Sequence, residues 1–571
     1  MQYTWKIGGE AGFGIMTTGL LFAKIAARSG YHTFDFVEYP SLIRGGHNAY
    51  DVTFGDEQVS TLKPTIDFLI CLNEETYKLN KAAVSADGHI VYDPEQFSIE
   101  NDPRAVGVPF SKILKELNGQ VIMKNIVALG ASLALCGCSD LSELITLLGQ
   151  QFGKKGDAII ALNRSFAEKG FEEVQTNHKE HIRPVLVKRE EAQQMVITGN
   201  EAFAYGAVAA DCRFYAAYPM TPSSGVLTAL AGWSSKTGMV VRHAEDEIAV
   251  INSALGASYA GVRSSVGSSG GGFALMVEAV SLAGITELPI VIFVSQRPGP
   301  ATGMPTWTEQ GDLLFSVHAG HGEFQKIVLA PGDHKEMIEM TMRAFDLADQ
   351  YQLPVIVLSD MLLSESHASI SYPAIEKLTS SYKPNRGKLI TSTTVPYKRY
   401  AITDDGISPR LIPGKQEGAF YQANSYEHLE DGHTSESADV RIQQVEKRAR
   451  KWNEYLKNDF KLPQVYGNIA DAQTIFVGWG STKGVALEAI KQASVLGKKT
   501  AYVHFTSLYP LHEERITAFF ASIVEKCILV ENNATAQLGQ LLRAETGIHI
   551  EKKVLRFDGR LITVDELLKK I

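Results

Sequence analysis

Hydrophobic and polar positions change their period several times along the chain, and those changes divide it. Near the start, YTWKIGG reads as a strand and FGIMTTGLLFAKIAARSG as a helix stopped by Gly30. HTFDFVEY, DFLICLN and HIVYDP are further strand candidates and IVALGASLALCG is an apolar helix, so the first stretch predicts an α/β unit with mostly parallel strands. The pattern turns polar and charged near residues 175–190. It resumes with RFYAAYP, MVVRHAE, RSSVGSS and PIVIFVSQ as strands separated by helices, and the crossover KEMIEMTMRAFDLADQYQLPVIVLSD closes this second unit. From about residue 370 to 465 polar and turn-forming residues dominate. The exception is a helix on which Ile442, Val445, Ala449, Trp452 and Leu456 form one apolar face. A connector of this length crosses between domains or lines a site. The last stretch, TIFVGWGSTKGVALEAIKQASVLGKKTAYVHF, reads as strand, glycine turn, helix and strand, a right-handed βαβ unit, and CILVENNATAQLGQLLRAETG repeats the pattern.

Composition narrows the function classes. A chain of 571 residues is too long for one core. A net charge of −9 without a long basic run argues against a nucleic-acid surface. No run of 18 apolar residues suggests a membrane span, and MQYTWKIGGEAGFG lacks the layout of a signal peptide, so a cytoplasmic protein is expected. The five cysteines, Cys71, Cys136, Cys138, Cys212 and Cys527, contain no C-x-x-C. A zinc or iron–sulfur site held by this chain is therefore not expected, and no metal ligand is assigned.

Candidate chemistry gathers at strand-to-helix turns. IGGEAGFG places Gly8, Gly9, Gly12 and Gly14 where backbone N–H groups can approach a phosphate, and HTFDFVEY ends in Glu38, roughly where a dinucleotide's ribose acid would sit. SLIRGGHNAYDV adds Arg44 and His47 on a glycine-rich loop. In YAAYPMTPSSGVL, Pro219 ends a strand, Thr221 reads as an N-cap and Pro222 as the first helical residue. With Ser223 and Ser224 this is a helix start suited to a carboxylate or phosphate. HAEDEIAVINSALGAS sets Glu245, Asp246 and Glu247 at the mouth of an apolar helix, where the macrodipole favours acids. VGSSGGGFALMVEA puts Gly270, Gly271 and Gly272 at another such turn, and FVSQRPGPATGMPTWTEQGDL puts Arg297, a fork for a carboxylate, directly after an apolar strand. Thr221, Glu247, the three glycines and Arg297 all follow strands of one unit and should converge along one sheet edge, where open α/β sheets bind ligands.

Taken together these motifs resemble the α subunits of the 2-oxoacid:ferredoxin oxidoreductases, in the form with a γ domain fused at the N-terminus. The resemblance spans nearly the whole chain. It implies a multidomain α/β fold. A γ domain over residues 1–190 rests on GGEAGFG, RGGHN and KNIVALGA. A pyrimidine-binding domain over 191–370 rests on YPMTPSS, EDEIAVINSALGAS and QRPGPATGMPTWTEQ. A linker with a helix follows over 371–469, and a transketolase C-terminal-like domain over 470–571 rests on VGWGSTKG and VENNATAQLGQLLR. The fused form and the linker SYEHLEDGHT look most like 2-oxoglutarate enzymes.

The resemblance implies thiamine diphosphate as cofactor and coenzyme A as co-substrate. The reaction it implies is oxidative decarboxylation of a 2-oxoacid, most simply 2-oxoglutarate to succinyl-CoA and CO2, with ferredoxin reduced. Carried over by motif, Glu247 would hydrogen-bond the cofactor's aminopyrimidine ring and favour the tautomer that deprotonates the thiazolium carbon. Thr221 and Arg297, with Tyr218 and Ser223 of the same motif, would hold the substrate. Gly270, Gly271 and Gly272 would leave room for the cofactor, and Gly12, Gly14, Arg44 and Lys124 would handle coenzyme A. No GDG motif for a diphosphate-bound Mg²⁺ occurs, and the cysteines of a cluster are missing. The resemblance thus implies a β subunit carrying the Mg²⁺ site and the iron–sulfur cluster, in an αβ or (αβ)₂ assembly. The alternatives are a non-oxidative thiamine diphosphate lyase or transketolase relative, an NAD-binding Rossmann dehydrogenase built on GGEAGFG, and a scaffold that only docks a partner.

Overall fold

The computed structural model of the protein describes residues 1–40, 46–189 and 194–571. The chain divides into two compact units, Met1–Ile197 with Ser366–Glu376, and Thr198–Glu365 with Lys377–Ile571.

The first unit is built on an eight-stranded sheet in the order Ala105–Gly107, Val84–Tyr92, Ile66–Cys71, Gln2–Glu10, His47–Gly55, His32–Glu38, His367–Ser371 and Gln194–Thr198. It is mixed rather than mostly parallel. Gln2–Glu10 runs parallel to Ile66–Cys71 but antiparallel to His47–Gly55, which is in turn antiparallel to His32–Glu38. The stretch from Tyr39 to Gly46 is too short for a parallel crossover, which needs about a dozen residues or more, so the strand after it must turn back. The change alters two expectations. His47 opens a strand instead of lying on a loop. The strand ending in Glu38 is separated from the one before the glycine turn by another strand, whereas a dinucleotide fold sets those two side by side. The Rossmann reading is therefore not what this topology supports. His367–Ser371 pairs with His32–Glu38 in this sheet, although local pattern leaves it at the end of the second unit. Buried Asp35 accepts hydrogen bonds from Tyr50 Oη at 2.7 Å and from the His367 backbone N–H at 2.6 Å, which fastens the returning strand. On the helical layer, Lys124–Leu135 packs against Asp157–Asn177 through Gly130 and Gly170. A side chain at either glycine would collide with a backbone carbonyl of the other helix, Ala167 or Val127.

The second unit holds a seven-stranded sheet in the order Ser507–Tyr509, Ile327–Leu329, Pro354–Asp360, Ile290–Gln296, Arg263–Ser268, Cys212–Ala217 and Val240–His243. Its pairings are parallel except at the Ser507–Tyr509 edge. Every residue of Ile290–Gln296 and Pro354–Asp360 is buried, as expected for central parallel strands covered on both faces. A five-stranded sheet near the C-terminus contains the expected βαβ unit, Thr474–Trp479, Thr482–Val495 and Thr500–Phe505, with the two strands adjacent and parallel. Among the described residues no helix is long and apolar enough to cross a membrane.

The connector helix runs Ala438–Asn458, but it buries a different face from the apolar one read in its sequence. Gln444, Lys447, Arg448, Lys451 and Tyr455 face inward, while Ile442 is 54% exposed. A buried acid, Glu287, accounts for the rotation. Lys447 and Lys451 each reach it at 2.5 Å.

Candidate active site

The strands Ile290–Gln296, Arg263–Ser268, Cys212–Ala217 and Val240–His243 are consecutive neighbours, all parallel. The residues that follow them therefore emerge on the same sheet edge, and these include Arg297, Gly270 to Gly272, Tyr218 to Ser223, and Glu247.

Glu247 is the first residue of the helix Glu247–Tyr259. The cap is its neighbour Asp246, whose Oδ1 accepts from Ala249 N at 2.8 Å, and Glu245 is exposed. Capping is thus already supplied, and Glu247 is free for another task. It is 3% exposed, and the hydrogen bond it accepts from Ser268 Oγ is a long one, at 3.3 Å. Gly272 is needed beside it, because a side chain there would collide with Glu247 Oε1 and Ser268 Oγ. Gly270 is needed for the same reason against Asp312, whereas Gly271 is exposed and a side chain there would meet only ordinary contacts, the nearest at 3.8 Å.

The turn Tyr218 to Ser223 departs from its expected form. The helix begins at Ser224 with Ser223 in the cap position and no side-chain cap bond, and the Thr221–Pro222 peptide is cis. Thr221 is therefore not a helix cap and Pro222 is not the first helical residue. Buried Ser223 donates its hydroxyl back to the carbonyl of Met220 at 2.8 Å. What the structure does bring together is Thr221 and Arg297. Arg297 Nη1 donates to the Thr221 carbonyl at 2.6 Å, which holds the guanidinium beside the turn. Tyr218 is 40% exposed at the rim, its ring 6.3 Å from that of His243.

Two acids at the end of the loop that begins with Arg297 were not singled out by the sequence. Burial pushes the Asp312 carboxyl up to about 6, against the pull of Arg297, and pushes Glu309 up to about 7, with Asp312 adding to the effect. Burial lowers Arg297, while Asp312 opposes the shift. The signal was present in TWTEQGDL, acids closing a loop that begins with an arginine, but nothing local says that the loop folds back. Gln310 makes it do so. Its Nε2 donates to the Trp479 carbonyl at 2.8 Å, its N–H to the Asn532 carbonyl at 2.7 Å, and its Oε1 accepts from Asn532 N at 2.9 Å. The motifs VGWGSTKG and VENNATAQLGQLLR thus act here as anchors for the arginine loop.

These residues fit an aminopyrimidine ring. A buried carboxylate with one long hydrogen bond can accept from a ring N–H. Ser269 Oγ, at the start of the glycine run, is buried without a partner, and the space over Gly271 is open. In the first unit, Gly14 precedes the helix Ile15–Arg28 in a left-handed conformation, with φ 72°, and its carbonyl accepts from Asn125 Nδ2 at 3.2 Å. Gly12 (φ 96°) is open, and Lys124 begins the helix that contains Asn125. Gly12, Gly14 and Lys124 are therefore close to one another, while Arg44 lies outside the described residues. Gly8 packs against Thr76 and His47, and Gly9 against Phe13 and Leu72.

Residues 205–447 match the family described as "Pyruvate flavodoxin/ferredoxin oxidoreductase, thiamine diP-bdg", and residues 4–173 match "Pyruvate ferredoxin/flavodoxin oxidoreductase". The 2-oxoacid:ferredoxin oxidoreductase subunit alpha of Sulfolobus sp is 32% identical over 99% of this chain and 96% of its own. The 2-oxoglutarate synthase subunit KorA of Methanothermobacter marburgensis is 30% identical over 66% of this chain and 98% of its own. Among solved structures, the 2-oxoglutarate:ferredoxin oxidoreductase from Magnetococcus marinus, with 2-oxoglutarate, coenzyme A and succinyl-CoA bound, superposes with a TM-score of 0.91. It is 33% identical, covering 100% of this chain and 98% of that one. The buried acid, the arginine and the glycine turn on one sheet edge all lie within the region that matches the thiamine diphosphate-binding family model. The chain belongs to the α subunits of the 2-oxoacid:ferredoxin oxidoreductases.

Proposed function

We propose that the assembled enzyme converts 2-oxoglutarate and coenzyme A to succinyl-CoA and CO2, passing two electrons to ferredoxin in the cytoplasm, and that this chain supplies half of the active site. The observation that carries the reading is the Arg297–Thr221 pair on the same sheet edge as the buried, sparsely bonded Glu247. Thiamine diphosphate, when bound, supplies the carbon nucleophile for the 2-oxo group. Glu247 accepts the hydrogen bond of a pyrimidine ring nitrogen and holds a proton there. Arg297, oriented by the Thr221 carbonyl, receives the 1-carboxylate through its remaining N–H groups, and Tyr218 closes the rim. Ser223 contributes the shape of the turn. Gly270, Gly271 and Gly272 keep side chains out of the ring's volume. Gly12, Gly14 and Lys124 handle coenzyme A.

A β subunit supplies Mg²⁺ for the diphosphate and the iron–sulfur cluster, in an αβ or (αβ)₂ assembly. This is supported by the lack of a GDG motif and by cysteines that are buried or half-buried and not grouped. The apolar side chains exposed near the site, Tyr218, Ile248, Leu275 and Met304, suit a surface that a partner covers. The choice of 2-oxoglutarate rests on the Magnetococcus marinus enzyme and the KorA relative.

The experiment is dye or ferredoxin reduction by the complex with coenzyme A and either 2-oxoglutarate or pyruvate. A kcat/KM at least about tenfold higher for 2-oxoglutarate is expected. Equal rates, or a preference for pyruvate, overturn the substrate. CO2 release without reduction of any acceptor overturns the oxidative reading.

A further inference from the structure

In the first unit, just beyond the long helix Asp157–Asn177, the sequence HKEH closes a short turn, Lys179–His181. His178, Glu180 and His181 each offer one ligand atom there, and these atoms lie within 4.8 Å of one another. His181 Nε2 is 3.6 Å from Glu180 Oε1. His178 Nε2 donates to the carbonyl of Gly107 at 3.0 Å, which settles its tautomer and leaves Nδ1 with a free lone pair. Histidines that ligate metals are commonly oriented in this way, by a carbonyl on the far nitrogen.

A second observation comes from another part of the chain. His89, on the strand Val84–Tyr92, is only 8% exposed, and both its ring nitrogens are buried without a hydrogen-bond partner. Its ring meets that of His181 edge-on, with centroids 5.3 Å apart. Two imidazoles sharing a tetrahedral ion, with metal–nitrogen bonds of about 2.0–2.1 Å, have centroids about 5 Å apart. A buried imidazole with no partner calls for an explanation, and an ion between the two rings supplies one.

We propose that His89, His178, Glu180 and His181 form a binding site for a divalent transition ion of the zinc class, independent of the oxidoreductase site. Three imidazoles and one carboxylate suit zinc and its late first-row neighbours, and do not suit the all-oxygen preference of Mg²⁺ or Ca²⁺. Metal ligation needs neutral imidazole. Arg183, the neighbouring cation, is occupied, its Nη1 donating to the Asp87 carbonyl at 2.8 Å. The ion would staple the exit of the long helix to the strand Val84–Tyr92 and, through His178, to the edge strand Ala105–Gly107. Cysteine spacing has no bearing on this site, whose ligands are three histidines and a glutamate from two distant segments.

The test uses the full-length protein without a histidine tag, stripped by a chelator and re-equilibrated with Zn²⁺ at about 10 µM. Zinc is counted by elemental analysis, separately from iron. About one zinc per chain and a raised Tm are expected. His178→Ala with His181→Ala abolishes both effects. Glu180→Gln, at an exposed position that cannot disturb packing, weakens zinc binding at least about tenfold. Co²⁺ in place of zinc gives the visible bands of a four-coordinate nitrogen and oxygen site, and these vanish in the double variant. His549→Ala, an exposed histidine elsewhere, changes nothing. The proposal is overturned if the stripped parent takes up no zinc at that concentration, or if the double variant takes up as much as the parent.

Discussion

Glu247 and Glu287 are both buried carboxylates of the second unit, 3% and 0% exposed, yet their partners differ in kind. Glu287 lies just past the C-terminal end of the helix Gly270–Ile285, where the dipole disfavours an acid. It is met by Lys447 and Lys451 at 2.5 Å, and its carbonyl accepts from Arg399 at 2.8 Å. Burial alone would raise its pKa, but the two ammonium groups and the guanidinium outweigh burial and hold it well below the usual carboxylate range. Glu247 stands at a helix start, with one serine at 3.3 Å. One acid is answered from within the chain, and the other faces an open glycine turn. An acid whose charge is matched internally holds the fold together, whereas one left sparsely bonded beside an exposed turn is available to a ligand.

The comparison predicts opposite consequences for the same substitution. Glu247→Gln in the assembled enzyme should cost about 10²–10⁴-fold in kcat, the range for losing a positioned proton-transfer group, with Tm nearly unchanged. Full turnover in that variant would remove Glu247 from the site. Glu287→Gln should instead lower stability by about 3–5 kcal/mol in denaturant titration, because two buried ammonium groups lose their carboxylate. Adding Lys447→Met and Lys451→Met should recover much of that loss, since replacing a buried ion cluster by packed apolar groups is often neutral. If the triple variant is no more stable than Glu287→Gln alone, the lysines are not what Glu287 serves.

Smaller effects sharpen the open side of the comparison. Arg297→Lys keeps the charge but loses the fork, so KM for the 2-oxoacid should rise about tenfold or more, with the complex intact by gel filtration. Asp312 and Glu309 give a pH dependence of a few-fold. Their raised pKa values keep both neutral below about 6, so the Arg297 charge is then fully felt by an incoming carboxylate. Between about 6 and 7 both acids ionise, and KM should rise with pH. The linkage to stability has the same sign. The folded state keeps protons that the unfolded chain has already lost, so stability falls as pH rises from about 4, where the unfolded carboxyls ionise, and levels off above about 7. Asp312→Asn should flatten the KM profile, and an unchanged profile would show that Asp312 does not face the substrate.

That the motifs converge on one edge was legible because they sit at strand ends. Once RFYAAYP, MVVRHAE, RSSVGSS and PIVIFVSQ are strands of one parallel sheet, the residues after them must share an edge. The capping role of Thr221 was misread. Two prolines around a threonine are compatible with a helix start, but the turn closes differently and gives the Thr221 carbonyl to Arg297. Asp312 and Glu309 were not singled out because their environment depends on Gln310 meeting Trp479 and Asn532, more than 150 residues away in the chain. The first sheet was read as mostly parallel because strand propensity carries no direction, which the short link between Glu38 and His47 decides.

The connector helix marks the boundary most clearly. Periodicity alone determined that residues near 440–458 form a helix, since helical propensity and the 3.6-residue repeat are local properties. The same periodicity chose the face of Ile442, Val445, Ala449, Trp452 and Leu456, and tertiary structure chose that of Lys447 and Lys451 instead. A buried carboxylate some 160 residues earlier in the chain attracts cations more strongly than a few half-exposed apolar side chains attract the core. The sequence by itself determined the family, the order of elements and the strand ends at which the candidate motifs gather. Which acids are matched, which arginine is aimed and which face is buried are settled by partners remote in sequence, and only the tertiary structure could decide them.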